Sequence, residues 1–158
     1  GRSGRLRCHT PGASEDHPLP CPPGRRAFRM RFGEGEEALV VVVMHLALGA
    51  RTRTRQLAYI RELIGNYRHQ VLMGDMNAHA TDLLEHSPLR DLGLIAPQVE
   101  ATFPSWRPQR CLDHILLSPS LTLERVEVLA QPISDHLPVA VEIRLPDALT
   151  VDTLPALS

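Results

Sequence analysis

Seven consecutive apolar residues, Ala38-Leu39-Val40-Val41-Val42-Val43-Met44, run between a polar turn sequence, Gly33-Glu34-Gly35-Glu36-Glu37, and His45. A run this rich in β-branched residues, with no polar alternation, reads as a strand buried on both faces. It belongs inside a sheet. It is far short of the roughly 20 apolar residues that a membrane-spanning helix needs, and no other stretch comes closer. The remaining composition fits a folded domain: 158 residues, 43% hydrophobic and 22% charged, enough to bury a core and too apolar for a fully disordered chain.

Organisation changes near Ala27. Residues 1–26 hold Pro11, Pro18, Pro20, Pro22 and Pro23 with almost no apolar periodicity, and read as an irregular or disordered segment. Cys8, His9, His17 and Cys21 lie within it, but their spacing matches no compact zinc pattern of two close ligand pairs. Phe28-Arg29-Met30-Arg31-Phe32 alternates apolar and basic residues, as a half-buried strand does, and forms a hairpin with the Val-rich run. Leu57, Ile60, Leu63 and Ile64 recur at helical spacing within 51–66, and Gly65 supplies a stop. Residues 69–73 form a short buried strand, 80–93 a helix interrupted by Pro88, and 101–111 a polar loop. Three strands follow over 112–117, 121–129 and 137–145, and 146–158 is a weak tail. The order β-β-α-β-α-β-β-β predicts an α/β chain with a mixed sheet and helices on one face.

The charge balance, 17 basic against 18 acidic residues, gives no global basic field. An enzyme can still hold phosphate with a metal and a few local arginines. Three cysteines make no disulfide framework, which predicts a reducing, cytoplasmic setting, and no signal-peptide pattern is visible.

The chemistry-bearing residues fall at strand ends. His45 closes the Val-rich run, and Asp75 and Asn77 follow Val71-Leu72-Met73-Gly74. Asp113 and His114 open the next strand, and Asp135 and His136 immediately precede Leu137-Pro138-Val139. Strand ends fix loops rigidly and are where sites are built. Taken singly each has a bland reading: an Asx-turn for Gly74-Asp75-Met76-Asn77, a satisfied buried histidine for His45, a strand start for Asp113-His114, a turn for Ser134-Asp135-His136. The ordered set of four is harder to obtain by accident. Three converging aspartates would also call for a cation.

That ordered set resembles the endonuclease/exonuclease/phosphatase superfamily, which includes deoxyribonuclease I and exonuclease III. The matching pieces are Val43-Met44-His45-Leu46, Met73-Gly74-Asp75-Met76-Asn77-Ala78, Thr102-Phe103-Pro104-Ser105 leading to Leu112-Asp113-His114-Ile115, and Ser134-Asp135-His136-Leu137-Pro138-Val139. The resemblance covers residues 27–145. It implies the C-terminal portion of a two-sheet α/β sandwich, with a mixed, mostly antiparallel sheet and flanking helices. It also implies metal-dependent hydrolysis of phosphate esters, nucleic acid among the candidate substrates, with magnesium or in its place manganese.

By the same resemblance, Asp75 positions or deprotonates the attacking water and Asn77 holds a phosphate oxygen. His136 contacts the scissile phosphate with Asp113 fixing its tautomer, and His45 donates a proton or hydrogen bond to the phosphate. Asp135, with Asp75, binds the metal. Read from the residues alone, Trp106 and Arg107, with Arg110 beyond, in the loop leading to Asp113 suit a stacked base and a phosphate, and equally Trp106 packs over the loop. Arg51, Arg53 and Arg55 after the His45 strand either flank a phosphate backbone or form a solvated helical turn. The family's N-terminal Asn strand and its principal metal-binding Glu have no counterpart: Glu15, Glu34, Glu36 and Glu37 match no family position. The expectation is therefore an N-terminally truncated domain, weakly active or inactive. The alternative is a non-catalytic remnant that binds phosphate or a partner through a sheet face left exposed.

Overall fold

The computed structural model describes residues 8–10, 12–21, 24–97, 113–128, 139–144 and 152–154. Along the chain run β1 (Cys8–Thr10), β2 (Ala13–Pro18), β3 (Arg26–Phe32), β4 (Leu39–His45), α1 (Ala50–Ile64), β5 (His69–Asp75), α2 (Ala80–Glu85), β6 (Asp113–Leu117), β7 (Thr122–Val128), β8 (Val139–Arg144) and β9 (Asp152–Leu154). Strands β2-β3-β4-β5-β6 form one five-stranded sheet in that order. Only the β4–β5 pair in it is parallel, and α1 makes the crossover that a parallel pair requires. The pairs β7–β8 and β1–β9 form two further small antiparallel sheets. The mixed, mostly antiparallel α/β sheet expected from the sequence is the one observed.

Period-two alternation divides the sheet into two faces. On the helix-covered face, Ala27, Val40, Val42, Met44, Leu72 and Leu116 pack with Leu57, Ile60 and Ile64 of α1 and Leu83 of α2 in one buried cluster. Each of these side chains except Ala27 contributes on the order of 2 kcal/mol by burial. The opposite face holds a smaller cluster of Leu39, Val71, Ile115, Leu117 and Leu121, with Phe32, Val41 and Met73 partly buried against it.

Three differences from the sequence reading follow. Residues 1–26 are not irregular throughout: β2 pairs with β3 from Ala13↔Arg31 to Pro18↔Arg26 and forms an edge of the main sheet. It has few apolar residues because its hold is the backbone ladder rather than burial. Second, β4 is buried on both faces only at its start. Its helix-side residues are all buried, but on the other face cover thins from Leu39 through Val41 to Val43, 36% exposed. Third, the alternation in β3 runs opposite to the usual sense. Arg29 lies toward the helix layer, its Nε donating to Leu63 O at 2.9 Å and its guanidinium 5.8 Å from the Tyr67 ring centroid. Phe28, by contrast, is 41% exposed beside Val43, its register partner. An open apolar strip of this kind was expected if the sheet's partner layer is reduced.

Candidate active site at one end of the sheet

Strand register builds the site. Parallel pairing of β4 and β5 sets His45 opposite Asp75, and antiparallel pairing of β5 and β6 sets Asp75 opposite Asp113. By alternation all three lie on the less covered face, in line with Val41 and Val43, with Val71 and Met73, and with Ile115 and Leu117. Three adjacent strands thus present His, Asp and Asp side by side.

Gly74 makes this alignment possible. It has φ +129°, and a Cβ built there would run into the Met44 carbonyl oxygen of β4. Only glycine lets the two backbones approach this closely one residue before the catalytic candidate. The ladder then continues past the strand ends, with Leu46 N donating to Asp75 O at 2.9 Å.

Asp75 is well held. Its Oδ1 accepts from Asn77 N at 3.1 Å, an Asx-turn, and its Oδ2 lies 3.3 Å from His45 Nε2. The Asp75 side chain is 14% exposed and that of His45 57%. Asn77 sits in the left-handed region at φ +46°, which asparagine tolerates better than most residues. Its Nδ2 donates to Leu46 O at 2.7 Å, so one amide N–H binds the loop after His45 and one remains. The bland Asx-turn and the functional motif are therefore the same structure.

Two residues that sequence reasoning assigned no role complete the support. His114, buried beneath the site on the helix-covered face, lies with Nε2 2.6 Å from Ala78 O. That bond makes Nε2 the protonated nitrogen and anchors the chain just after Asn77. Burial is the chief cause holding its pKa below the usual value, so the ring is kept neutral. Gln56, fully buried on α1, accepts from Ala47 N at 2.8 Å. Its signal was a polar residue beside the Leu57–Ile60–Ile64 stripe.

The structure thus brings His45, Asp75, Asn77 and Asp113 to one end of the sheet. Asp135, His136, Trp106, Arg107 and Arg110 lie outside the described residues. Of the arginine group, Arg53 is committed to structure, donating to Leu48 O at 2.8 Å, whereas Arg51 and Arg55 are exposed on α1. In the N-terminal segment, His17 bonds Glu15 at 2.9 Å and Tyr59 at 3.2 Å, and Cys21 is an exposed free thiol. Glu37 lies at the other end of the sheet, next to His69. Among the described residues no group of three or more His, Cys, Asp or Glu is placed to hold a metal ion, and no helix is long and apolar enough to cross a membrane.

Solved structures share this architecture. The chain is similar to a mannosyl-6-phosphatase of Bacteroides thetaiotaomicron VPI-5482, with TM-score 0.67 and 19% identity, over 85% of this chain and 67% of that one. It is similar to D. rerio TDP2 complexed with a single strand DNA product, with TM-score 0.64 and 16% identity over 84% and 67%. It is also similar to the human Nocturnin catalytic domain with bound sulfate, with TM-score 0.64 and 20% identity over 87% and 60%. The chain therefore spans about two thirds or less of the length of these structures. No curated protein sequence matches it significantly. The sequence profile of the endonuclease/exonuclease/phosphatase family matches residues 10–136, a span that takes in β2 as well as every strand end of the site. With the motifs, the sheet and the profile in agreement over most of its length, this chain belongs to the endonuclease/exonuclease/phosphatase family.

Proposed function

We propose that this chain is a divalent-metal-dependent hydrolase of phosphate esters. The observation that carries the reading is the lateral alignment of His45, Asp75 and Asp113 on one face at one sheet end, with Asn77 in the adjoining turn. The Asp75 carboxylate offers hard oxygen donors, which suit magnesium or manganese. Asp75 and Asp135 would hold the ion, which when bound supplies neutralisation of the charge developing on the phosphate oxygens. Two protein carboxylates alone bind such an ion weakly, so slow turnover is the expectation.

The remaining roles belong to the chain's own side chains. Asp75, oriented by Asn77 N–H and facing His45, positions the attacking water and takes its proton. The second amide N–H of Asn77 donates to a phosphate oxygen. His45 Nε2 faces Asp75, so Nδ1 is the nitrogen left for the phosphate, and it donates there in the imidazolium form. His136 donates to the scissile phosphate, and Asp113 holds its ring in one tautomer. Trp106 and Arg107 receive the group flanking the phosphate. The substrate panel that tests this holds a sugar phosphate, an activated aryl phosphodiester and single-stranded DNA, each with magnesium. Slow, magnesium-dependent hydrolysis of at least one, abolished by Asp75→Ala, is expected. Phosphate binding without turnover by any member would favour the non-catalytic module, whose exposed Phe28–Val43 strip would then be its working surface.

A further inference from the structure

Gln56 stands where the helix needs an apolar residue. Its neighbours on the buried side of α1 are Leu57, Ile60 and Ile64, and it is itself fully buried. Burying a primary amide is unfavourable unless both of its ends are bonded. Both are, and none of the partners is in the helix. Oε1 accepts from Ala47 N at 2.8 Å, while Nε2 donates to Cys21 O at 2.8 Å and Pro20 O at 3.3 Å. One side chain thus joins the loop after β4 to the loop after β2.

The first of these loops follows His45 directly. It has little apolar anchorage at its tip, where Leu48 is exposed. Leu46 is anchored in the core, and beyond it polar bonds set the path. Leu46 N donates to Asp75 O, Leu46 O accepts from Asn77 Nδ2, Ala47 N donates to Gln56 and Leu48 O accepts from Arg53. Two members of this set, Gln56 and Arg53, come from α1, and Gln56 is the buried one.

We propose that Gln56 is a positioning residue for the His45–Asp75–Asn77 group. By holding Ala47 it fixes the path of the loop, so that the His45 ring meets Asp75 and Leu46 O meets the Asn77 amide. The consequence for turnover rests on the phosphoesterase reading above, but the structural consequence does not.

The test uses the full chain and Gln56→Leu, which keeps the bulk and removes all three bonds. Gln56→Met, unbranched and of similar length, replaces it if the leucine variant does not fold. The first readout is NMR: the ring signals of His45, the side-chain amide of Asn77 and hydrogen exchange at Ala47. Expected are shifted His45 and Asn77 signals and about tenfold faster exchange at Ala47, the size of one lost buried hydrogen bond. Ile60 and Ile64 amides should stay within about twofold. The second readout is magnesium-dependent hydrolysis of an aryl phosphodiester. There kcat should fall about tenfold with KM nearly unchanged, and the same substitution made in His45→Ala should cost less than it does in the parent, the remainder acting through Asn77. Unmoved His45 and Asn77 signals in a folded variant would overturn the proposal. So would exchange raised equally along all of α1, which would make Gln56 a packing residue only, or a multiplicative loss in the His45→Ala background. If the parent chain shows no turnover, the phosphoesterase reading fails and the NMR readout still decides the role of Gln56.

Discussion

The two ends of the β4–β5 pair carry the same chemical couple, a histidine beside a carboxylate, in opposite states. At the start of β5, His69 is 3% exposed, with Nε2 2.7 Å from Glu37 and Nδ1 2.8 Å from Ser120 Oγ. Both ring nitrogens are used. The cluster clasps the turn before β4, the start of β5 and the turn after β6, with Arg68 adding a 2.8 Å bond to the other Glu37 oxygen. At the far end, His45 is 57% exposed and lies 3.3 Å from Asp75 by Nε2 alone; Nδ1 has no partner among the described residues. A saturated pair built on a buried ring closes a fold, whereas a pair with an exposed ring, backed by a glycine-dependent backbone, can give and take protons. Residue identity does not separate these roles; burial and the fate of the second nitrogen do.

Substitutions at each end should therefore fail in different ways. Gly74→Ala should be the most damaging. It forces a Cβ against the Met44 carbonyl at a φ that alanine rarely adopts, costing on the order of 3 kcal/mol. Exchange should rise at residues 44–46 and 74–77 while Leu39 and His69 stay protected; equal loss at both ends would show that they are not independent. His45→Ala comes next. Denaturant midpoints should stay within about 0.5 kcal/mol of the parent, but turnover should fall about 100-fold, equivalent to about 2.7 kcal/mol. His69→Ala should do the reverse, losing about 2 kcal/mol of stability through a cavity and two lost hydrogen bonds, with kcat unchanged in the folded fraction.

A smaller effect lies in pH. His114 has its pKa depressed by burial, so the unfolded chain takes up a proton first as pH falls below its ordinary value of 6.5. Stability present above that pH is lost as pH falls through the folded value. Glu37 is held below its ordinary 4.5, chiefly by the hydrogen bond from His69, so its contribution is present above 4.5 and is lost on further acidification. Urea midpoints should show two declines on acidification. His114→Gln, which can still donate to Ala78 O, should remove the upper one only.

Much of the frame was legible because burial writes itself into local pattern. The Val-rich run gave β4, the Leu57–Ile60–Ile64 stripe gave α1, and Gly74-Asp75-x-Asn77 gave the turn of the site. What was not legible depends on distant partners. Strand β2, Ala13–Pro18, is held by its ladder to β3 and carries almost no apolar signal. The alternation in β3 gave a strand but not which face was covered. The placement of His45 opposite Asp75 comes from a parallel register between strands 30 residues apart (45 and 75), which no local pattern encodes. Gln56 did carry a signal, a polar residue on an apolar stripe, whose meaning needed the loop it holds.

The central claim is that the open end is the metal-binding, phosphate-handling end and the saturated end is structural. Titration of the isotope-labelled chain with manganese tests it directly, since a bound paramagnetic ion broadens signals near it. The account predicts broadening of Asp75, Asn77, Asp113 and the His45 ring, relieved by excess magnesium and absent in Asp75→Ala, with Glu37, His69 and Ser120 unaffected. Broadening centred on Glu37 and His69, or none at Asp75 at millimolar manganese, would contradict it.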